Sequence, residues 1–401
     1  MDLKSGLPFW PIKNGLIRSY PALHEHILCD VAVIGGGITG ALVADQLVQA
    51  GIDTVVLDRR DVATGSTSAS TALLQYEVDT PLFELIEMAG REHAVRSYLL
   101  CLEAILKLEK LIGELGDDCG FQSKKSLYLA SRERDVPDLK REYEARREAG
   151  IRLDLLGASD IAARFSFRYP AALLSHTAGQ VDAYRLTHAL FRRAASHGLR
   201  VFDRTAVTSH DHTRDGVTLT TERACTVRAK RVVLAGGYEA QQYLKHKVVN
   251  FKSSYALITE PVDAFPGWGE DQCLLWETAR PYLYARTTSD GRMLAGGEDD
   301  LFDNELRRDR MVEKKSRRVE KRIRELFPEL RFETAYAWAG TFGETKDGLA
   351  YIGQHPDFPN GYFALGYGGN GITYSLIAAE IIRDAITGVD NPDTEIFRFD
   401  R

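Results

Sequence analysis

Gly35, Gly37 and Gly40 stand in the spacing G-x-G-x-x-G within Ile34-Gly-Gly-Gly-Ile-Thr-Gly40. That spacing suits a phosphate: the first glycine turns the chain, the second lets a pyrophosphate approach the backbone, and the third lets helix pack closely on strand. Ile38 and Thr39 would open the helix, offering free N–H groups and the positive end of its dipole. A carboxylate follows at Asp58, beside Arg59, where it can accept hydrogen bonds from an adenosine ribose.

These groups need a strand, a turn and a helix to hold them. Val31, Ala32, Val33 and Ile34 carry no polar residue among them, as in a central parallel strand covered on both faces, and the amphipathic stretch Ala41 to Ala50 continues as helix. Asp53-Thr-Val-Val-Leu-Asp58 reads as the next strand. In the run Gly65-Ser-Thr-Ser-Ala-Ser-Thr-Ala72, the residues Ser66, Thr67, Ser70, Thr71 and Ala72 either cap a helix or thread small side chains beside a phosphate and a ring system. Further on, Val207 precedes two short strands, and Arg231-Val-Val-Leu-Ala-Gly-Gly237 is a buried strand whose last residues, Ala235 and Gly236, would approach a cofactor.

A second glycine loop lies at the far end, Gly366-Tyr-Gly-Gly-Asn-Gly-Ile372, before a helix from about Thr373 to Thr387. A nicotinamide enzyme has no evident use for it. Reduction of a flavin puts negative charge on N1 and C2=O, which bare N–H groups at Gly369, Asn370, Gly371 and Ile372 could stabilise. Two such loops point to FAD.

The 401 residues carry a net charge of −6 without a long basic block, which disfavours nucleic acid as a partner. Cys29, Cys101, Cys119, Cys225 and Cys273 are odd in number and widely spaced, expected as reduced thiols in a cytoplasm, and no stretch approaches the length of an apolar membrane span. His24, His26, His210 and His212 read as surface histidines, not metal ligands. Residues 1–28 read as an extended arm, residues 84–115 as core-facing helix, and residues 305–326 as one solvated helix with an apolar stripe. Strands rich in Tyr and Trp between residues 248 and 298 predict an antiparallel sheet.

Taken together, Ile34-Gly-Gly-Gly-Ile-Thr-Gly40, Asp58, Val232-Val-Leu-Ala-Gly-Gly237, Trp338-Ala-Gly340, Thr345-Lys-Asp-Gly348 and Gly366-Tyr-Gly-Gly-Asn-Gly371 resemble the D-amino acid oxidase superfamily of FAD-dependent oxidoreductases, which includes glycine, sarcosine and γ-glutamylputrescine oxidases. The resemblance implies an α/β (α+β overall) fold in which a Rossmann-like FAD-binding domain is interleaved with an antiparallel-sheet substrate domain. We expect the first in residues 29–90, 151–245 and 335–401, and the second in residues 91–150 and 246–334. It also implies loss of a hydride from the carbon next to nitrogen of a small amine or amino acid, to an electron acceptor not named by the sequence, and a cofactor contact at Gly340. Oxidation of a hydroxy acid or glycerol-3-phosphate-like alcohol, and a flavin-binding subunit of a larger complex, are the alternatives.

Three departures from the family shape further expectations. Relatives with histidyl-linked FAD read Gly-Ser-Thr-Trp-His where this chain has Gly65-Ser-Thr-Ser-Ala69, and no Cys lies near Trp338, so the FAD is expected to be non-covalent. Sarcosine-oxidase relatives place an oxygen-activating Lys in a strand matching Met293-Leu-Ala-Gly296, where this chain has none and Arg292 is the nearest cation; weak oxidase activity is expected. Glycine-oxidase relatives hold a carboxylate with an Arg at the position of Phe342. Here Phe342 and Glu344 suit an apolar or cationic group, with Tyr255, Trp276, Tyr282 and Tyr284 either an aromatic wall or plain sheet packing. Arg286 is the competing anchor.

Overall fold

The protein is described here from a computed structural model covering residues 2–6, 8–302 and 304–401. Its first sheet has eight strands centred on Ile27–Ile34. Thr226–Leu234 and Thr54–Leu57 flank it in parallel, Arg200–Phe202 lies outside the latter, and Gly361–Leu365 runs parallel outside the former. Burial explains the apolar runs: Val31, Ala32 and Val33 are inaccessible to solvent. On one face the helices Ile38–Gln49, Ala183–Ser196 and Gly371–Thr387 pack over the sheet; on the other, Val217 and Leu219 of an antiparallel hairpin close it.

The second sheet has nine strands, in the order Thr334–Glu344, Asn250–Thr259, Met293–Leu301, Leu283–Thr287, Leu274–Glu277, Gln122–Leu129, Ala171–Gln180 and Leu73–Leu74, with Leu153–Gly157 also paired to Ala171–Gln180. It is antiparallel except where Leu274–Glu277 runs parallel to Gln122–Leu129. Helix Glu305–Leu326 covers one face through Val319, Ile323 and Leu326; the other face looks toward the glycine loops.

Sheet membership departs from the expected segment borders. Leu73–Leu74, Leu153–Gly157, Ala171–Gln180 and Thr334–Glu344 fall in segments expected for the nucleotide domain, yet all pair into the second sheet. An apolar alternating run identifies a strand without saying which neighbour it will bond. The long helical stretch is two helices, Leu82–Ala89 and Arg91–Gly113, broken at Gly90, whose φ of 81° leaves the helical region. Nor is the arm wholly extended. It contains the short helix Phe9–Asn14, with Phe9 and Trp10 buried, and Trp10 Nε1 donates to Ser70 O at 2.7 Å.

Candidate functional site

The first glycine loop is shaped by contacts that leave no room for side chains. A Cβ on Gly35, where φ is 114°, would sit 2.4 Å from Ala235 O, and one on Gly40 would sit 1.8 Å from Gly35 O. Gly37 precedes helix Ile38–Gln49, which has no side-chain cap at its own start. Thr67 Oγ1 instead takes the Ile38 N–H at 3.0 Å, and a Cβ on Gly37 would lie 2.9 Å from that oxygen. Asp58 accepts the N–H groups of Gly36 at 2.6 Å and Arg60 at 2.7 Å. Burial pushes its carboxyl pKa up against those two hydrogen bonds. Two carboxylate oxygens offer about four acceptor sites, so capacity for ribose hydroxyls remains.

At the second loop, the Asn370 side-chain amide donates to Gln75 O and Glu77 O, both at 2.9 Å, tying the start of helix Gly371–Thr387 to the segment after the Ser/Thr run. The Gly369 N–H is not bare as expected. It donates to Asp79 Oδ2 at 3.2 Å, leaving Gly371 and Ile372 as the donors at the helix start.

Both loops line one cavity of about 470 Å³. Its wall includes Gly35, Gly37, Ile38, Thr39, Asp58, Arg59, Ser66, Thr67, Ser70, Thr71, Ala72, Val207, Ala235, Gly236, Gly340, Gly369, Asn370, Gly371 and Ile372. Gly40 alone of the expected cofactor residues is not on the wall, because its place is the strand–helix contact beneath.

The other end of the cavity meets the second sheet. Register puts Lys252, Ser254 and Ala256 opposite Phe342, Gly340 and Trp338 on the cavity face, and Phe342, Trp276, Tyr282 and Tyr284 line it. Of the four residues expected to contact substrate, Phe342 lines the cavity and Tyr255, Arg286 and Glu344 do not. Tyr255 is one residue out of phase with Ser254 and Ala256, so it turns to the opposite face, where Lys315 Nζ lies 5.5 Å from its ring centre. Arg286 has the right phase but stands too far along its strand: it is buried over the Trp10 ring at 5.2 Å and donates to Val181 O at 3.1 Å. Burial pushes its pKa down to about 9. Glu344 is off the wall and paired with Lys252 at 2.6 Å.

Residues absent from the sequence-based set occupy the wall instead, among them Gln75, Glu77, Asp79, Tyr238 and Arg280. Arg280 lies over the Tyr282 ring at 5.2 Å and donates to Ala279 O at 3.2 Å. Glu77 is buried with Arg146 and Glu142; Arg146 Nε reaches Glu142 at 2.6 Å and its Nη1 reaches Glu77 at 3.3 Å. Ser175 also donates to Glu77 at 2.7 Å, and burial raises the Glu77 pKa. Two carboxylates at spacing two, Glu77 and Asp79, shortly after the apolar pair Leu73-Leu74 were the available signal for this side of the site.

Residues 30–385 match the family model described as DAO, FAD dependent oxidoreductase. The chain belongs to that family. It is 26% identical over 396 residues to gamma-glutamylputrescine oxidoreductase of Escherichia coli, covering 92% of this chain and 86% of the relative. It is also 26% identical to glycine oxidase of Geobacillus kaustophilus, covering 89% and 92%. The crystal structure of that glycine oxidase superposes with a TM-score of 0.78 at 23% identity, covering 91% of this chain and 96% of the other, and L-proline dehydrogenase from P. horikoshii with 0.76 at 20%, covering 94% and 99%. Both share the fold.

The residues present fit the family's FAD. A phosphate-sized cradle exists where a Cβ on Gly37 would intrude, and Ser66 Oγ is buried on the cavity wall without a hydrogen-bond partner, a donor that a pyrophosphate oxygen would satisfy. Within the Ser/Thr run, Thr67 caps helix Ile38–Gln49 through Oγ1, and Ser66, Thr67, Ser70, Thr71 and Ala72 line the cavity. Among the described residues no group of three or more His, Cys, Asp or Glu side chains could hold a metal. His210 and His212 contact each other at 3.1 Å, and neither is on the cavity wall.

Proposed function

We propose that this family member oxidises a small amine or amino acid at the carbon bonded to nitrogen, with its FAD held non-covalently. The observation that carries the reading is one continuous cavity running from both glycine loops to an end walled by Phe342, Trp276, Tyr282 and Tyr284, large enough for a small organic donor beside a cofactor. The names of the relatives, a gamma-glutamylputrescine oxidoreductase and glycine oxidases, support it. FAD, when bound, accepts the hydride. The chain's own work is to place the donor C–H, exclude water with the aromatic wall, and stabilise negative charge through the N–H groups of Gly371 and Ile372.

The choice between amine and amino acid turns on Arg280, which replaces Arg286 as the anchor to weigh. Its guanidinium on the cavity wall favours a carboxylate-bearing substrate as the second reading. No Lys lines the cavity among the described residues, which supports slow reaction with O₂ and a different physiological acceptor. A cytoplasmic location is supported by five buried, unpaired cysteines; no helix among the described residues is long and apolar enough to cross a membrane.

Anaerobic mixing of the holoenzyme with panels of amines, amino acids and hydroxy acids tests the reading. Bleaching of the flavin by amines or amino acids is expected, and bleaching by hydroxy acids alone would overturn it. Acid precipitation should leave all the yellow colour in the supernatant.

A further inference from the structure

Two buried arginines have no part in the chemistry proposed above, and both hold the N-terminal arm. Arg308, on helix Glu305–Leu326, is 2% exposed; its Nη1 donates to Asp2 O at 2.6 Å and Thr341 Oγ1 at 3.2 Å, and its Nη2 to Lys4 O at 2.8 Å. Arg286 covers the ring of Trp10, whose Nε1 bonds to Ser70 O. Burying a guanidinium costs free energy unless its donors are met, and for Arg308 two arm carbonyls help to meet them.

Thr334–Glu344 is the outermost strand of the second sheet. Residues 3–5 bond to it at 339–341: Ser5 N–H donates to Ala339 O at 3.0 Å, Thr341 N–H donates to Leu3 O at 2.7 Å, and Ser5 Oγ accepts the Ala339 N–H at 2.7 Å. The segment is an added strand held through its backbone. Leu3, 4% exposed, alone among the described residues of the arm forms part of the cavity wall, next to Gly340 and Thr341. Further along, buried Phe9 and Trp10 anchor the arm independently, and Gly6, exposed with φ 46°, turns the chain between the two anchorages.

A strand held by so few bonds can leave its edge while the rest of the molecule stays folded, because local openings cost far less than global unfolding. We propose that residues 2–5 are a detachable wall of the FAD cavity latched by Arg308: FAD is retained while this strand lies on Ala339–Thr341 and exchanges when it peels away. Arg308 is then a positioning residue for cofactor retention. The latch concerns the family's FAD and holds whichever substrate is oxidised.

Arg308→Met and Ser5→Pro test the latch from its two sides, the first by removing the guanidinium and the second by removing the Ser5 N–H and hydroxyl. In each, FAD release from diluted holoenzyme, followed by the rise of free-flavin fluorescence, should be faster by about tenfold or more, as for loss of a hydrogen bond to a charged group. Re-binding of FAD to the apoprotein should be no slower, since a wall that opens for exit opens for entry; simple damage to the site would slow it. Arg308→Lys should recover part of the retention. In the unmodified holoenzyme, the Ser5 and Thr341 N–H groups should exchange with deuterium at least about tenfold faster than the Leu257 N–H in the middle of the sheet. If Arg308→Met does not fold by circular dichroism, Ser5→Pro and the exchange measurement still decide. Unchanged release in the folded variants, faster release together with slower re-binding, or Ser5 and Thr341 protected as strongly as Leu257 would each overturn the detachable wall.

Discussion

The two ends of the cavity are built from different parts of the chain. The nucleotide end is shaped by backbone, by glycines whose missing Cβ atoms leave room and N–H groups at two helix starts, with a few side chains such as Asp58, Ser66 and Thr67 added to it. The substrate end is made of side chains from the wall of a nine-stranded sheet and from the segment after the Ser/Thr run. Backbone geometry constrains residue type tightly, since only glycine fits a site with an atom 1.8 Å from its Cβ position. Side-chain geometry accepts many residues, so this end can change substrate without changing fold.

The largest effect should follow from breaking the nucleotide end. Gly40→Val would drive a side chain into Gly35 O and separate helix from strand, so the protein should be recovered without FAD and with a melting temperature lowered by roughly 10 °C or more. Gly37→Val, directed at Thr67 Oγ1 and the phosphate cradle, should lose FAD while keeping most secondary structure by circular dichroism. Retention of full FAD in Gly37→Val would mean that the phosphates lie elsewhere.

Those consequences were legible in the sequence because glycine spacing reports backbone shape directly. The central strand, both loops and helix Glu305–Leu326 were readable for the same reason: period and punctuation are local. The substrate end was not. Tyr255 was misplaced by a single step of strand phase, and Arg286 by position along a strand of correct phase, neither of which has a local signature. Arg280 lies just before Leu283–Thr287, outside the alternation that drew attention to Tyr282 and Tyr284. Solvation of the long basic helix was also only partly right. Arg308 is buried and donates to Asp2 O at 2.6 Å and Lys4 O at 2.8 Å, binding the arm to the body.

Next in size is Arg280→Ala. If a substrate carboxylate meets this residue, KM for that substrate should rise by about thirtyfold or more, with FAD content unchanged because the residue stands at the other end. A change in FAD content instead of KM would erase the division between the ends.

The two sides should also respond oppositely to pH. In the second sheet, Asp299 has its folded pKa raised from 3.8 to about 6 by burial. Its favourable contribution is therefore complete below about pH 4 and is lost as pH rises through 6, and the displacement bounds the effect at ~3 kcal/mol. His188, on helix Ala183–Ser196 beside the first sheet, is buried with neither ring nitrogen bonded, and burial lowers its pKa from 6.5 to about 4. Its contribution is complete above 6.5 and is lost as pH falls toward 4. Denaturant titrations should show Asp299→Asn gaining on the parent chiefly above pH 6 and His188→Leu gaining chiefly below it; matching pH profiles for the two would refute the assignment.

The smallest effect is expected at Tyr255, a residue that sequence reasoning placed against the substrate. Its ring is buried on the helix side of the sheet, between its strand and Lys315, while Ser254 and Ala256 on either side line the cavity. Tyr255→Phe keeps the ring, its packing and most of the attraction to the ammonium, so stability should fall by no more than ~1 kcal/mol and flavin reduction by any substrate should stay within about twofold. Ser254→Phe, one residue along, would point a ring into the cavity and should slow reduction by far more. Strand phase predicts that ordering, and a Tyr255→Phe variant more impaired than Ser254→Phe would show that the sheet presents its other face to the substrate.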